Sequence, residues 1–285
     1  MTIDTACVEC IINQSAKVAN AIGADAKLSD TLTSTIRTMS KDFSYEDNPP
    51  EIASYVYEKM AIIANKIDLY DEVKALSTKK ALSFVPLVKD KISQSKNKLL
   101  SATKTAVAGN VIDLAAAVEF DLEEELHKIY DVDFTHNDFE KLEKKLSDAK
   151  RVLVIGDNVG EHIFDYVFIE TLQEIYPSVE FSYMVRGNPI INDVTMLEAK
   201  EAGFDELCNV VDSGVNTPGF TYDRATDDAK RLFDEACLVI SKGMGNYECM
   251  SPSHRKDICF LLKVKCDVVA SSLNKKVGDI VCKMV

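Results

Sequence analysis

Three stretches of the chain place polar side chains at the end of an apolar run, and their residue types suit the handling of a cation and a phosphate. The first is Val-Leu-Val-Ile-Gly-Asp-Asn-Val-Gly-Glu, residues 152–161, where a strand stops at a glycine and presents Asp157 and Asn158 just before a helix. A carboxylate beside a carboxamide is an all-oxygen ligand set for a hard cation such as Mg²⁺ or Mn²⁺. The second is Val-Arg-Gly-Asn-Pro-Ile-Ile-Asn-Asp-Val-Thr, residues 185–195, which puts Asp193 in the corresponding place one strand over. Two strand ends that each offer an Asp can grip one cation from adjacent sides, leaving room for a phosphoryl oxygen and an attacking water. Arg186, at the same strand end, has the fork geometry for phosphate. The third is Ser241-Lys-Gly-Met-Gly-Asn246, in which Lys242 supplies a point charge and the glycines let backbone N–H groups approach an anion. It is not a Walker A loop, whose lysine follows the glycines.

Each stretch also has an ordinary structural reading. Asp157-Asn158 can be an Asx turn capping the next helix, and Asn192 or Asp193 can cap the helix through Met196 and Leu197. Arg186 and Lys242 would by default be solvated surface cations. Asp212-Ser213-Gly214 is a similar strand-end turn with little specificity of its own, and Ala108-Gly-Asn-Val-Ile-Asp113 reads as a turn and helix start. His162, beside Glu161, lacks any His-x-x-x-His or Ser/His/Asp partner spacing and reads as a half-exposed surface histidine. Cys7-x-x-Cys10 lacks the second pair of a zinc ribbon and the strand of a thioredoxin-like motif, so two buried helical thiols are the default. A structural or auxiliary soft-metal role is the alternative for that pair, with missing ligands sought among Cys249, Cys259, Cys266 and His254.

The elements that must position these residues change character along the chain. Up to about residue 147 the pattern is helical, clearest at Leu114, Val118, Leu122, Leu126 and Ile129, spaced by four and three. Asn137 and Glu140 have capping-box spacing and open a charged helix from Asp138 to Ala149, in which Phe139, Leu142 and Leu146 face a core. From Arg151 short apolar runs alternate with helical segments: 152–155, 179–185, 207–211, 238–240 and 260–264, with 278–285 as a last edge strand. That alternation predicts an α/β fold, a helical N-terminal region (1–147) plus a Rossmann-like three-layer domain (148–285) with a mostly parallel sheet. Ligands of such sheets collect at the carboxyl ends of the strands.

The bulk properties agree. With 46% hydrophobic and 28% charged residues the 285-residue chain is an ordinary globular protein, long enough for one large domain or two. A net charge of -13 repels nucleic acid and anionic membranes, yet a bound cation can reverse the potential inside a cleft and admit a small phosphorylated metabolite. No apolar run approaches the ~20 residues of a membrane span. Residues 1–10 lack the basic start of a signal peptide, and eight cysteines then read as reduced thiols, so the expected compartment is the cytoplasm.

Taken in order, Cys7-Val-Glu-Cys10, Ala108–Asp113, Gly156–Glu161 with Phe164-Asp165, Arg186–Thr195, Asp212–Gly214, Ser241–Glu248 and Leu261–Cys266 resemble the DUF89 family of metal-dependent damage-control phosphatases. The likeness is to its stand-alone archaeal and bacterial branch with an N-terminal Cys-x-x-Cys. It implies hydrolysis of phosphate esters with Mn²⁺, Co²⁺, Ni²⁺ or Mg²⁺. The implied metal ligands are Asp157, Asn158 and Asp193, and the implied phosphate contact is Lys242 with Asn110 and Asn246 nearby. In the working mechanism a water of lowered pKa attacks, oriented by Asp157 or Asp193; an aspartyl-phosphate route through one of them stays open. Other branches carry Arg-Thr-x-Lys where this chain has Val239-Ile-Ser-Lys242, so the resemblance does not carry over their sugar-phosphate preference. A nucleotide-binding or transferase module at the same strand ends is the alternative reading, but Gly156 and Gly160 do not fit its glycine spacing. A scaffold acting through the helical region is a third, and it predicts no metal dependence.

Overall fold

The computed structural model describes residues 2–111, 126–253 and 255–285, the side chains of 109–111 excepted. Three helices open the chain: α1 (Thr5–Ala21), α2 (Ala26–Met39) and α3 (Pro49–Ala64). Each starts where a short side-chain carboxylate or carboxamide answers an orphan helix N–H: Asp4 accepts from Ala6, Asp25 from Leu28 and Asn48 from Glu51. Their inward faces, including Ile12, Val18, Leu32, Ile36, Ile52, Val56 and Met60, form a separate apolar core, closed from the other side by Ile190. This unit is a cap.

The next helices do not belong to it. α4 (Asp71–Gln94) and α5 (Lys98–Val111) pack against α8 (Glu161–Ile175), and α6 (described over 126–131) and α7 (Phe139–Asp148) join the same layer. Beneath lies a seven-stranded sheet of β1 (His136–Asn137), β2 (Arg151–Ile155), β3 (Glu180–Val185), β4 (Asn209–Asp212), β5 (Leu238–Lys242), β6 (Ile258–Lys263) and β7 (Ile280–Met284). Its order is β1-β7-β6-β5-β2-β3-β4, and only the β6–β7 pair is antiparallel. Strand residues alternate between the faces. Val152, Val154, Tyr183 and Ile240 meet the α4–α8 layer, while Leu153, Ile155, Met184 and Val239 meet the layer of α11 (Asp227–Glu235), α12 (Gly243–Met250) and α13 (Asp267–Leu273). Burial on both faces explains why the strands read as continuous apolar runs. Two short helices, α9 (Met196–Glu201) and α10 (Phe204–Leu207), link β3 to β4.

The α/β class and the mostly parallel sheet match the expectation, and four details differ. A strand, β1, sits inside the stretch read as helical, and it lies outside β7, so β7 is not an edge. Leu207 ends α10 instead of opening a strand. The apolar cores divide between Leu69 and Ala81, whereas the 147–148 junction falls inside one core, between Leu146 and Ala149. In α7 the N-cap is Asp138, and Asn137 accepts from the Phe139 N–H in place of a capping box. Leu126 and Ile129 of the expected stripe are buried; Leu114, Val118 and Leu122 lie outside the described residues.

Because the cap has its own core, damage there should stay local. Ile52→Ala is expected to destabilise the cap by about 2–4 kcal/mol through lost transfer energy and a residual cavity. Hydrogen exchange should then show α1–α3 deprotected while β2, β5 and β6 keep their protection.

Candidate active site

The site grows from a change of winding direction. From β2 the chain proceeds to β3 and β4 on one side; the later strands β5 and β6 lie on the other, so the carboxyl ends of β2 and β5 flank a switch point. Gly156, Asp157 and Asn158 follow β2, and Lys242 ends β5. Gly156 allows close packing there, since an added Cβ would lie 2.4 Å from the Tyr183 hydroxyl. The turn after β3 folds back onto these residues. Val194 N–H donates to Asp157 O at 2.8 Å, Val159 N–H to Asn192 O at 2.7 Å, and Arg186 N–H to Val194 O at 3.0 Å. Ile191 holds this turn at φ 49°, an uncommon conformation for a β-branched residue and one costing on the order of 1–3 kcal/mol. The result brings Asp157 and Asp193 together.

Charge is concentrated here out of water. Asp193 accepts from Arg186 Nε at 2.8 Å, and Arg186 Nη2 lies 3.9 Å from an Asp157 oxygen. Nη1 and Nη2 of Arg186 are buried without a hydrogen-bond partner. Asn158 Nδ2 donates to Asp157 at 3.1 Å and to Glu161 at 2.8 Å. Burial pushes Asp193 up to about 7, with Asp157 adding to the shift and Arg186 opposing it. Burial and Asp157 likewise push Glu161 up to about 7, and Glu248, on α12, rises to about 7 mainly through burial. Lys242 is wholly buried, its ammonium 2.5 Å from Asp165, whose other oxygen accepts from the Tyr183 hydroxyl at 3.0 Å. Burial pulls Lys242 down, but Asp165, Glu161 and Asp157 outweigh it and keep the ammonium charged.

Several sequence expectations change. Arg186 and Lys242 are not solvated cations, being 1% and 0% exposed. Neither aspartate is a helix cap: α8 begins after Gly160, and α9 is capped by Thr195 with Glu198 in a reciprocal box. His162 is buried, its Nδ1 accepting from Gly160 N–H at 2.9 Å and its ring stacked 6.3 Å from Phe204. Asn246 has its carboxamide occupied by backbone, accepting from Phe220 N–H and donating to Gly156 O and Lys242 O, which gives it a positioning place. Asn110 lies in the last turn of α5, where a turn and helix start had been read, and its side chain is outside the described part, as is His254. Cys7 is half-buried and Cys10 exposed, on the first turns of α1. Burial raises the Cys7 thiol, and Glu248 and Cys266 add to that shift. Of their suggested partners, Cys249 contacts Thr221 and Cys259 lies 3.9 Å from Cys282. Glu161, Asp165 and Glu248 were missed as site residues; the i, i+4 spacing of Glu161 and Asp165 on one face of α8 was the available signal.

Among the described residues no three His, Cys, Asp or Glu side chains converge as a metal cluster. A cation would therefore rest on two carboxylates and the Asn158 carboxamide. The donor set fits a hard ion: it is all oxygen, and Asp157, Asp193, Glu161, Asp165 and Glu248 outnumber the cations Arg186 and Lys242 around it. Gly243 keeps the cleft open at φ 78°, since an added Cβ would sit 1.9 Å from Asp157 Oδ2.

Fold and site together define a doubly wound α/β protein with an oxygen-lined, cation-suited cleft at its switch point. The chain belongs to the damage-control phosphatase ARMT1-like family, whose domain matches residues 3–281. It is 30% identical to a damage-control phosphatase of Pyrococcus horikoshii over 99% of this chain and 98% of that one. A damage-control phosphatase of Archaeoglobus fulgidus is 29% identical over the full length of both. The crystal structure of a DUF89 family protein from Pyrococcus horikoshii superposes with a TM-score of 0.92 at 29% identity, covering 100% of this chain and 99% of that one.

Two outcomes follow from this geometry. Gly243→Ala should cut turnover at least tenfold without unfolding the protein, because the methyl displaces Asp157; circular dichroism and steady-state kinetics check it. His162 is held neutral, its pKa lowered to about 4 chiefly by burial. A depressed histidine contributes stability that is full above its unfolded value near 6.5 and is lost as pH falls toward 4, about 3 kcal/mol in all. Urea unfolding of His162→Gln across that window should show a correspondingly flatter pH dependence.

Proposed function

We propose that this chain is a divalent-metal-dependent phosphomonoester hydrolase acting on small phosphorylated metabolites in the cytoplasm. The observation that carries the reading is the convergence of Asp157, Asn158 and Asp193 beside the buried Arg186, in a chain whose named relatives are damage-control phosphatases. Asp157, Asn158 and Asp193 would hold the ion, Mn²⁺, Co²⁺, Ni²⁺ or Mg²⁺. When bound, such an ion supplies Lewis-acid charge to phosphoryl oxygens and acidifies a water.

The chain's own residues supply the rest. Arg186 keeps two guanidinium nitrogens without hydrogen-bond partners, which suit phosphoryl oxygens. Lys242, fixed by Asp165 and Tyr183, places a permanent positive charge under the phosphate position and so stabilises the charge that spreads over it in the transition state. Asp157 or Asp193 orients the attacking water. Asn246 ties the β2 and β5 ends together, and Asn110 is proposed as a further phosphate contact. A net charge of -13 favours small substrates over polyanions, and eight free thiols suit a reducing compartment.

An aryl phosphate should be hydrolysed with added Mn²⁺ and not in EDTA, and Asp157→Ala or Asp193→Ala should abolish turnover while leaving cooperative unfolding intact. Full turnover in EDTA, with metal removal confirmed, would sink the reading.

A further inference from the structure

Lys74 is a lysine buried to 2% exposure on the first turn of α4, well away in sequence from the cleft. Its ammonium donates to Asp68 at 2.7 Å and to Glu198 at 3.1 Å, the latter across 124 residues of chain. Each partner is itself fixed. Asp68 accepts from Tyr70 N–H at 2.8 Å and lines a cavity of about 330 Å³ between α3 and the 188–191 turn. The second oxygen of Glu198 accepts from Thr195 N–H at 2.9 Å and from the Thr195 hydroxyl at 2.6 Å. Thr195 bridges to Arg186, and its neighbour Val194 donates to Asp157 O. One ammonium thus joins the end of the cap to the turn that carries Asp193.

Stability alone accounts poorly for this arrangement. A buried ion network is often no more stabilising than apolar residues of the same volume, so the lysine does something that a leucine would not. What it supplies is direction. It orients the Glu198 carboxylate, that carboxylate fixes where α9 begins, and the start of α9 sets the register of Asp193 and Arg186 beside Asp157.

We propose that Lys74 is a positioning residue for the metal and phosphate site, acting through Glu198 and Thr195. The assignment rests on the metal-dependent phosphatase reading of the cleft. The hydrogen bonds of Lys74 go to Asp68 and Glu198 and not to Asp157 or Asp193, so it is not catalytic.

The test combines Mn²⁺ titration by calorimetry with aryl-phosphate kinetics on Lys74→Met, Lys74→Arg, Glu198→Ala and the Lys74→Met, Glu198→Ala double variant. Loss of a residue that orients a ligand costs on the order of 10–100-fold in metal affinity or activity. Lys74→Met should therefore lose roughly tenfold or more in kcat and in Mn²⁺ affinity with little change in KM, and Lys74→Arg should recover most of both. Glu198→Ala should lose a similar amount, and the double variant no more than either single one, because the two residues act in series. If Lys74→Met does not fold, Glu198→Ala and Lys74→Arg still decide the matter: a Glu198→Ala protein with wild-type Mn²⁺ affinity and kcat overturns the proposal. So do additive losses, or a folded Lys74→Met with wild-type values. Wild-type protein that binds Mn²⁺ and turns over keeps the function reading intact through all of these failures, while wild-type protein that does neither overturns both.

Discussion

The structure is organised around the cost of holding Asp157 and Asp193 together out of water. Asp157 raises the pKa of Asp193 because like charges repel, and burial removes the solvent that would screen them. Arg186 answers part of that cost from within the same strand end, at 2.8 Å from one aspartate and 3.9 Å from the other. Such an arrangement persists only where the surrounding backbone leaves the side chains no alternative. The two loops are therefore bound to each other by backbone hydrogen bonds on both sides of the pair, and Ile191 accepts a strained φ so that the turn can close. Lys242 and Asp165 repeat the solution one strand further on, with Tyr183 completing it.

How much of this was legible in the sequence depends on how local each signal was. Asp157, Asn158 and Asp193 could be picked out because each follows an apolar strand, and the strand end is a place that a linear pattern marks. For Glu161 and Asp165 the i, i+4 spacing marks only a shared helix face, and a carboxylate on the first turns of a helix normally faces water. Here α8 is covered by the sheet beneath, by α4 and α5 above and by Phe204 at its start, so residues 161–165 are all buried. Packing by distant elements likewise overturns the exposed reading of His162 and the default of solvated cations for Arg186 and Lys242. Burial of a polar residue is a tertiary property, and nothing within a few positions of it in sequence announces it.

The division of the helical part was hidden for a related reason. Helices α3 and α4 show similar periodicity, yet α3 buries its face in the cap and α4 buries its face beside α8. A helix pattern states that a face is buried and does not say against what. The cap in turn contributes Tyr57 and Asp68 to the wall of the cavity beside the 188–191 turn, so the space next to the strand ends is shaped by residues that precede the sheet in the chain.

The pairing of β1 with β7 has a bearing on the order of assembly. Thr135 N–H bonds to Ile280 O across 145 residues, and His136 and Asn137 pair with Val281 and Cys282. During synthesis, β1 emerges long before its neighbour exists. The half of the sheet from β2 to β5 can zip together from segments already made, whereas the β6-β7-β1 margin must wait for residues 280–284 to leave the ribosome. Until then Phe134, Phe139 and Leu142 have one side of their core missing. A nascent chain stalled shortly before residue 280 would carry a formed cleft on an unfinished sheet, with exposed apolar surface that marks it for chaperones.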